Sequence, residues 1–466
     1  PGDEALQKRF AGLCRSLGRT QEAAGIYERL ARLNPGRKEF WITGGEILAD
    51  AGEYRKAADL WEKIVAIAPR NLELHRELAT TYWDYYQYER AIATIQRARR
   101  LFRSPDLLAK EMGILLEGVG NLSGAIAEYL KVFAGDPFGH QEVRTRLVYL
   151  TRKKGLGPAI QQQFAAATRG AKRQEYILAY GQYLDLLDRR QEQAALYRQA
   201  IDDFTSIGYL DHLYRFFTAA ADRDSIRRVL ERMAVVSDGD LTYLKRLATF
   251  AEEQGDFRRA EAVIRRMLER YRGEEEYADC LSYAKNYYER RGATDRVLWC
   301  IQQAADASSG PARDELLHEL AMRLVRAGEH GRAAGILEDL LKRHPTAVGY
   351  FDTLADIREK TTDFSGVVEL YRQAMRSVQT DTGLATDEKR GLIADLRGQL
   401  IVRYNRNDMY RESLDQYIEI INRDPLNEEN LLQAFGHARD HGLLAVLISY
   451  YTKTAETSFR TTGSRW

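Results

Sequence analysis

Four stretches of the chain repeat one pattern of apolar and polar positions: EAAGIYERLARLNP at 22–35, KAADLWEKIVAIAP at 56–69, RAIATIQRARRLFRSP at 90–105 and GAIAEYLKVFAGDP at 124–137. Apolar residues recur three and four apart, the period of an amphipathic helix, and a proline closes each stretch. The alanines that anchor the pattern, Ala23, Ala57, Ala91 and Ala125, are spaced by 34 each time, and Ala159 and Gln193 continue the series. The later anchors, Ile226, Ala260, Val297, Ala333, Val367, Ser413 and Leu447, are spaced by 34, 37, 36, 34, 46 and 34.

Upstream of each anchor lies a second helical pattern. A glycine often closes it five residues before the anchor, as at Gly18, Gly52, Gly120, Gly255 and Gly328. A glycine there suits a tight turn between two helices. The unit is therefore helix, turn, helix, and two such helices bury a continuous apolar seam only by stacking on neighbouring units.

The second unit carries Trp41, Gly45, Leu48, Gly52, Tyr54, Ala57, Trp61 and Pro69 in one register. Other units keep subsets, such as Ala248, Gly255, Phe257 and Ala260, or Leu320, Ala321, Leu324, Gly328, Ala333 and Pro345. Pro35, Pro69, Pro137, Pro345 and Pro425 each stand twelve residues after an anchor. In these features the sequence resembles the tetratricopeptide repeat family. The resemblance implies an all-α, right-handed superhelical solenoid of about thirteen repeats. The expected organisation is a regular array of six 34-residue repeats over 4–207, degenerate repeats over 208–378, an insertion at 379–391, and the last repeats with a terminal helix over 392–466. The polar insertion, within SVQTDTGLATDEKRG, is expected as a longer loop or an extended helix end and as a place for an accessory contact.

Composition supports helices: nine prolines and thirty-five glycines in 466 residues are few for turn-dense β-structure. Sixty-nine basic residues against sixty-eight acidic ones leave no bulk attraction to nucleic acid or anionic lipid, so any charge effect is local. Cys14, Cys280 and Cys300 show no zinc spacing and no disulfide framework, which makes them small buried hydrophobes. No run approaches the roughly 18–20 apolar residues of a membrane helix, so no membrane insertion is expected. No targeting segment is visible in a chain that begins at Pro1, and the compartment stays open.

The stretch TTYWDYYQYERAI places five rings within seven residues. Tyr82 and Tyr88 fall where the family packs aromatics between its helices. Tyr86 replaces the turn glycine, and Tyr85 beside it is expected to cap the hairpin edge with its hydroxyl in water. Trp83 stands where the resemblance implies a groove-facing side chain.

The same resemblance makes the first helix of each repeat the lining of a groove, read fifteen residues before each anchor. In repeats one to eight those residues are Lys8, Ile42, Arg76, Lys110, Arg144, Leu178, Asp211 and Lys245. Arg76, Lys110 and Arg144 form a basic ladder able to receive acidic side chains, with Trp83 on the same helix as Arg76. The alternative is solvated charge balanced by Glu77, Glu111 and Glu117. The carboxylate clamp of chaperone-binding members is not expected. Gly12 follows Lys8 where an Asn belongs, Thr43 replaces the second Asn, and Glu73 and Glu77 replace two cations. Windows opened by Lys110 or Lys245 meet Ile114 or Thr249 instead of Asn.

No phosphate loop, dinucleotide fingerprint, nucleophile elbow or zinc-protease motif is present, so neither catalysis nor a cofactor or small-molecule substrate is expected. His437 and His441 are four apart with Asp440 nearby but lack a third and fourth ligand, so no metal site is assigned. Asn121-Leu122-Ser123 fits a glycosylation sequon by chance.

These features point to an interaction scaffold that takes a partner peptide, helix or loop in its groove. A second reading is an RNA-processing scaffold of the half-a-TPR type, which GDFRRAEAVIRRMLERY echoes, although the near-neutral total charge argues against nucleic acid. A third is the substrate-recruiting segment of a larger enzyme. Self-association through terminal repeats is a fourth, since no polar capping helix is evident at either end.

Overall fold

The structure is a computed structural model that describes residues 4–360, 364–423 and 427–462, with side chains described to 453. Among the described residues there are 26 α-helices, from Glu4–Ser16 to Leu444–Thr462, with two short 3-10 turns and no strand. They pair in chain order as helical hairpins, seven within residues 4–236 and five within residues 277–462. The chain divides into two compact units, 1–251 and 252–466.

Where the turn is described, it is made the same way from unit to unit. Five residues before the buried anchor the backbone turns left-handed: φ is +72° at Gly18, +78° at Gly52 and +81° at both Gly120 and Gly328. The second hairpin shows why. The Gly52 amide donates to the Ala49 carbonyl at 2.8 Å and the Glu53 amide to the Leu48 carbonyl at 2.8 Å, which satisfies carbonyls that the ending helix leaves unpaired. The geometry holds where glycine is absent. Tyr86, Asp188, Ala221 and Asp408 take the same conformation with φ between +53° and +59°. The turn residue of the eleventh hairpin and Pro425 lie outside the described residues.

Twelve of the thirteen anchor residues are buried, from Ala23, Ala57, Ala91 and Ala125 at 0% exposure to Leu447 at 6%. The exception is Ala159, which is half-buried. In the fifth hairpin the buried residue is Ile160, and the left-handed turn lies five before it at Gly155. The spacing therefore runs 35 from Ala125 to Ile160 and 33 from Ile160 to Gln193. One extra residue precedes the second helix, Gly157–Ala167, and that helix begins with Pro158 in its first turn, where a missing amide hydrogen costs nothing. An even 34-residue count passes over this slip.

Between paired helices, ring and glycine complement one another. Twelve residues before the anchor a glycine faces a ring four residues after it: a Cβ on Gly45 would come within 2.1 Å of Trp61, one on Gly113 within 2.4 Å of Tyr129, and one on Gly181 within 2.2 Å of Tyr197. Trp61, Tyr129 and Tyr197 are fully buried, each with an apolar payload that only a bare helix surface admits. In the third hairpin the same two places hold Ala79 and Ile95.

The segment at 379–391 is mostly helix. Helix Phe364–Thr380 runs 17 residues and helix Thr386–Arg406 runs 21, so only 381–385 lie outside them. Cys14, Cys280 and Cys300 are all buried, and burial pushes the Cys300 thiol up to about 11. Asn121 caps helix Leu122–Lys131 by accepting from the Gly124 amide at 3.0 Å. His437 rests its Nε2 2.9 Å from the Tyr410 carbonyl, while His441 stacks on the Tyr410 ring at 3.7 Å. No described helix is long and apolar enough to cross a membrane.

Candidate partner-binding groove

The first helices of the third and fourth repeats, Leu72–Asp84 and Ala109–Gly118, lie side by side with a pocket of about 140 Å³ between them. Its wall is apolar: Ala79, Trp83, Ile95, Leu108, Ile114 and Leu115, with Thr80, Arg76 and Glu111 beside them. Ile95 explains why the space exists. It stands where Trp61, Tyr129 and Tyr197 fill the equivalent position in other repeats, and an isoleucine occupies less of the gap than a ring. The sequence shows Ala79 and Ile95 in place of the glycine-and-ring pair, but Ala248 and Ile264 hold the same places in the eighth repeat, so which gap stays open is read only from the packing.

Trp83 forms one end of the pocket. It is half-buried, its ring centroid is 5.0 Å from that of Tyr88, and it covers Gly118, where a Cβ would come within 3.0 Å of the indole. The other rings of this stretch serve packing. Tyr82 is fully buried, sits edge-on to Trp61 at 5.6 Å and donates to Glu62 at 3.2 Å. Burial, reinforced by Glu62, pushes its phenol up to about 12. Tyr85 departs from the expectation of a hydroxyl in open water: its ring lies 5.0 Å from Trp61 and its hydroxyl donates to Asp50 at 3.4 Å. Tyr86 at the turn is 77% exposed.

Arg76 stands at the pocket mouth with its side chain 42% exposed. It donates to Glu73 at 2.7 and 2.8 Å, and its Nε lies 3.2 Å from Glu111 of the next repeat without hydrogen-bond alignment. Lys110, 39% exposed, lies 3.3 Å from Glu142. Pairs this exposed hold their partners by roughly 0–1 kcal/mol, so an incoming carboxylate can replace either acid at little cost. Of the acids expected to balance the ladder, only Glu111 does so here. Glu77 pairs with Lys38, and Glu117 accepts from Tyr129 at 2.9 Å and Arg146 at 2.6 Å. Beside the pocket, and sharing Arg76, Leu108 and Glu111 with it, is a basin of about 680 Å³ that also takes in Lys110, Lys131, His140 and Asp106.

Arg144 does not join Arg76 and Lys110. It is 4% exposed and donates to the carbonyls of Pro137, Phe138 and Gly139 at 3.2, 2.7 and 2.5 Å, and to Gln141 Oε1 at 3.1 Å. The cause is the one-residue slip of the fifth repeat. Measured from Ile160, Arg144 is sixteen residues before the anchor, not fifteen. One residue on a helix is about 100° of rotation, enough to turn a side chain from the groove into the core. The residues sixteen before the anchor in repeats two, three and four, Trp41, His75 and Ala109, are likewise buried. His75 makes a similar contact, with Nε2 2.7 Å from the Pro69 carbonyl. Thr145 holds the groove position of the fifth repeat and is exposed. Arg76 and Lys110 thus stay partly exposed beside the pocket, and Arg144 does not.

The tetratricopeptide repeat family model matches residues 9–39 of the chain. No curated protein matches it. Among solved structures, the Naa15/Naa10 complex bound to HypK-THB matches at 12% identity over 96% of this chain and 80% of that one, with a TM-score of 0.23. Yeast Tom70 matches at 12% identity over 87% and 97%, also at 0.23. The C-terminal part of a TPR repeat-containing protein from Cytophaga hutchinsonii matches at 12% identity over 54% and 97%, at 0.28. Scores of this size do not make the chains superimposable over their lengths.

Proposed function

We propose that this chain of stacked helical hairpins, whose residues 9–39 match the tetratricopeptide repeat model, serves as a protein-protein interaction scaffold whose working surface includes the groove on the first helices of repeats three and four. The observation that carries this reading is the apolar pocket that Ile95 leaves open beside Trp83, with displaceable charge at its mouth. An apolar side chain of a partner peptide, helix or loop would enter between Trp83, Leu108 and Ile114. An acidic residue next to it would meet Arg76 or Lys110 by exchanging with Glu111 or Glu142. The role proposed for this groove is recognition.

The test is a pull-down from the native organism's lysate with the parent chain and two variants, Thr80→Trp and Arg76→Glu. Thr80 is exposed on the pocket wall, so a tryptophan there plugs the opening without entering the core. Circular dichroism confirms that each variant folds. Loss of a captured protein with Thr80→Trp, and its weakening with Arg76→Glu, is the expected result. Equal capture of every protein by all three chains would remove this groove from the working surface.

A further inference from the structure

A second cleft, of about 690 Å³, lies in the unit spanning 252–466, between helices Thr386–Arg406, Tyr410–Arg423 and Glu428–Asp440. Helix Thr386–Arg406, 21 residues long, supplies most of the lining. Its cleft face is bare: Gly391, Ala394 and Gly398 line the cleft, and a Cβ on either glycine would meet nothing within 4 Å. Ile393, Ile401, Val402, Ile420 and Tyr417 supply an apolar floor and an aromatic ring.

Arg390, Arg397 and Arg423 line this cleft together with Asn427, Asn430 and Gln433, and Asp395 is the one acidic residue among the described lining residues. Arg397 is 9% exposed. It donates to Gln416 at 2.6 Å and to Glu419 at 3.2 Å, and its Nε is buried without a hydrogen-bond partner. Arg390 lies 3.5 Å from the largely exposed Asp387. Burial pulls the Arg397 pKa below its usual value. Glu419 works against that shift, and the like charge of Arg423 adds to it. Two cations near enough to repel, beside open volume and an apolar floor, favour an anion placed between them.

We propose that this cleft binds a phosphate monoester carried on an apolar or aromatic body. Three guanidiniums suit a dianion better than a single carboxylate, and the volume falls in the range of organic-ligand sites. The monoester can be a free small molecule or a phosphorylated side chain of a partner.

The experiment is ligand-observed NMR titration of the whole chain with phenyl phosphate, inorganic phosphate, phenylacetate, and a phosphotyrosine peptide beside its unphosphorylated form. The variants are Arg423→Gln, at an exposed helix end, and Gly398→Leu, which fills the bare face from a position where nothing stands in the way. Saturable binding of phenyl phosphate, weakened at least tenfold in both folded variants and unchanged in Arg190→Gln, at an exposed arginine outside both sites, is expected. A phosphopeptide about tenfold tighter than phenyl phosphate identifies a partner side chain as the source, and equal or weaker binding identifies a free ligand. The proposal is overturned by any of three results: no saturation below roughly 5 mM, equal binding of inorganic phosphate or phenylacetate, or binding indifferent to Gly398→Leu.

Discussion

Repeats three and five both carry an arginine near the start of their first helix, and the two arginines do opposite things. Arg76 lies at the mouth of an apolar pocket, 42% exposed, paired to acids that solvent already weakens. Arg144 is buried and closes the connection between repeats four and five by donating to three consecutive carbonyls. Counted from an evenly spaced series of anchors they are equivalent. Counted from the buried residue that actually seats each second helix, they are one position apart. In a stacked-hairpin protein, then, the chemistry of a groove position depends on register to a single residue.

Loss of Arg144 should give the largest effect. Arg144→Ala removes a buried guanidinium that donates to the Pro137, Phe138 and Gly139 carbonyls and is expected to cost about 3 kcal/mol, against at most about 1 kcal/mol for Arg76→Ala. Urea unfolding of the two variants measures both, and equal losses would break the comparison. The glycine-and-ring pairing comes next. Gly113→Ala drives a Cβ to within 2.4 Å of Tyr129 and is expected to destabilise by about 2 kcal/mol. Ala79→Gly in the third hairpin, where no ring waits, should cost only the helix propensity of about 1 kcal/mol.

The turn offers an effect of the opposite sign. Ala221 holds φ at +53°, a conformation that strains any residue with a Cβ, so Ala221→Gly should stabilise by about 1 kcal/mol in a thermal melt. Smallest in stability is Thr145→Arg, expected to stay within about 0.5 kcal/mol of the parent because the site is exposed. It would place a third cation at the fifth repeat's groove position. Its effect should appear as salt-dependent tightening for an acidic partner segment, and no change in salt dependence would argue against a groove running that far.

The tyrosines near the pocket add a pH dependence. Tyr82 is pushed up to about 12 by burial first and Glu62 second, and Tyr85 to about 12 by burial and then Asp50. A folded-state pKa above the unfolded value contributes stability that is complete below the unfolded pKa of about 10. That stability is lost as the pH climbs from there through about 12. Absorbance titration of tyrosinate in the native chain, compared with Tyr82→Phe, checks the window.

Much of the fold was legible in sequence because it is local. A 34-residue period, apolar positions three and four apart, and turns five residues before a small anchor identify helical hairpins that must stack, and the order of the helices follows from it. Left-handed turns at Tyr86, Asp188, Ala221 and Asp408 were less obvious, since the stacking of two helices imposes them where composition gives no sign. Of the groove residues, Arg76 and Lys110 stand where the period puts them and Trp83 walls a pocket, while Arg144 was displaced by an extra residue that counting in steps of 34 passes over.

What the chain determined by itself is therefore the kind of unit, how many there are, and which face of each helix is apolar, because these follow from short-range periodicity. Only the tertiary structure decided where volume is left over. The pocket beside Trp83 lies where Ile95 is shorter than the rings in equivalent places, and the second cleft lies along the helix face that carries Gly391 and Gly398. Whether a charge is free or spent is decided in the same way, since a side chain's partners come from residues one repeat away or more, at distances that packing sets.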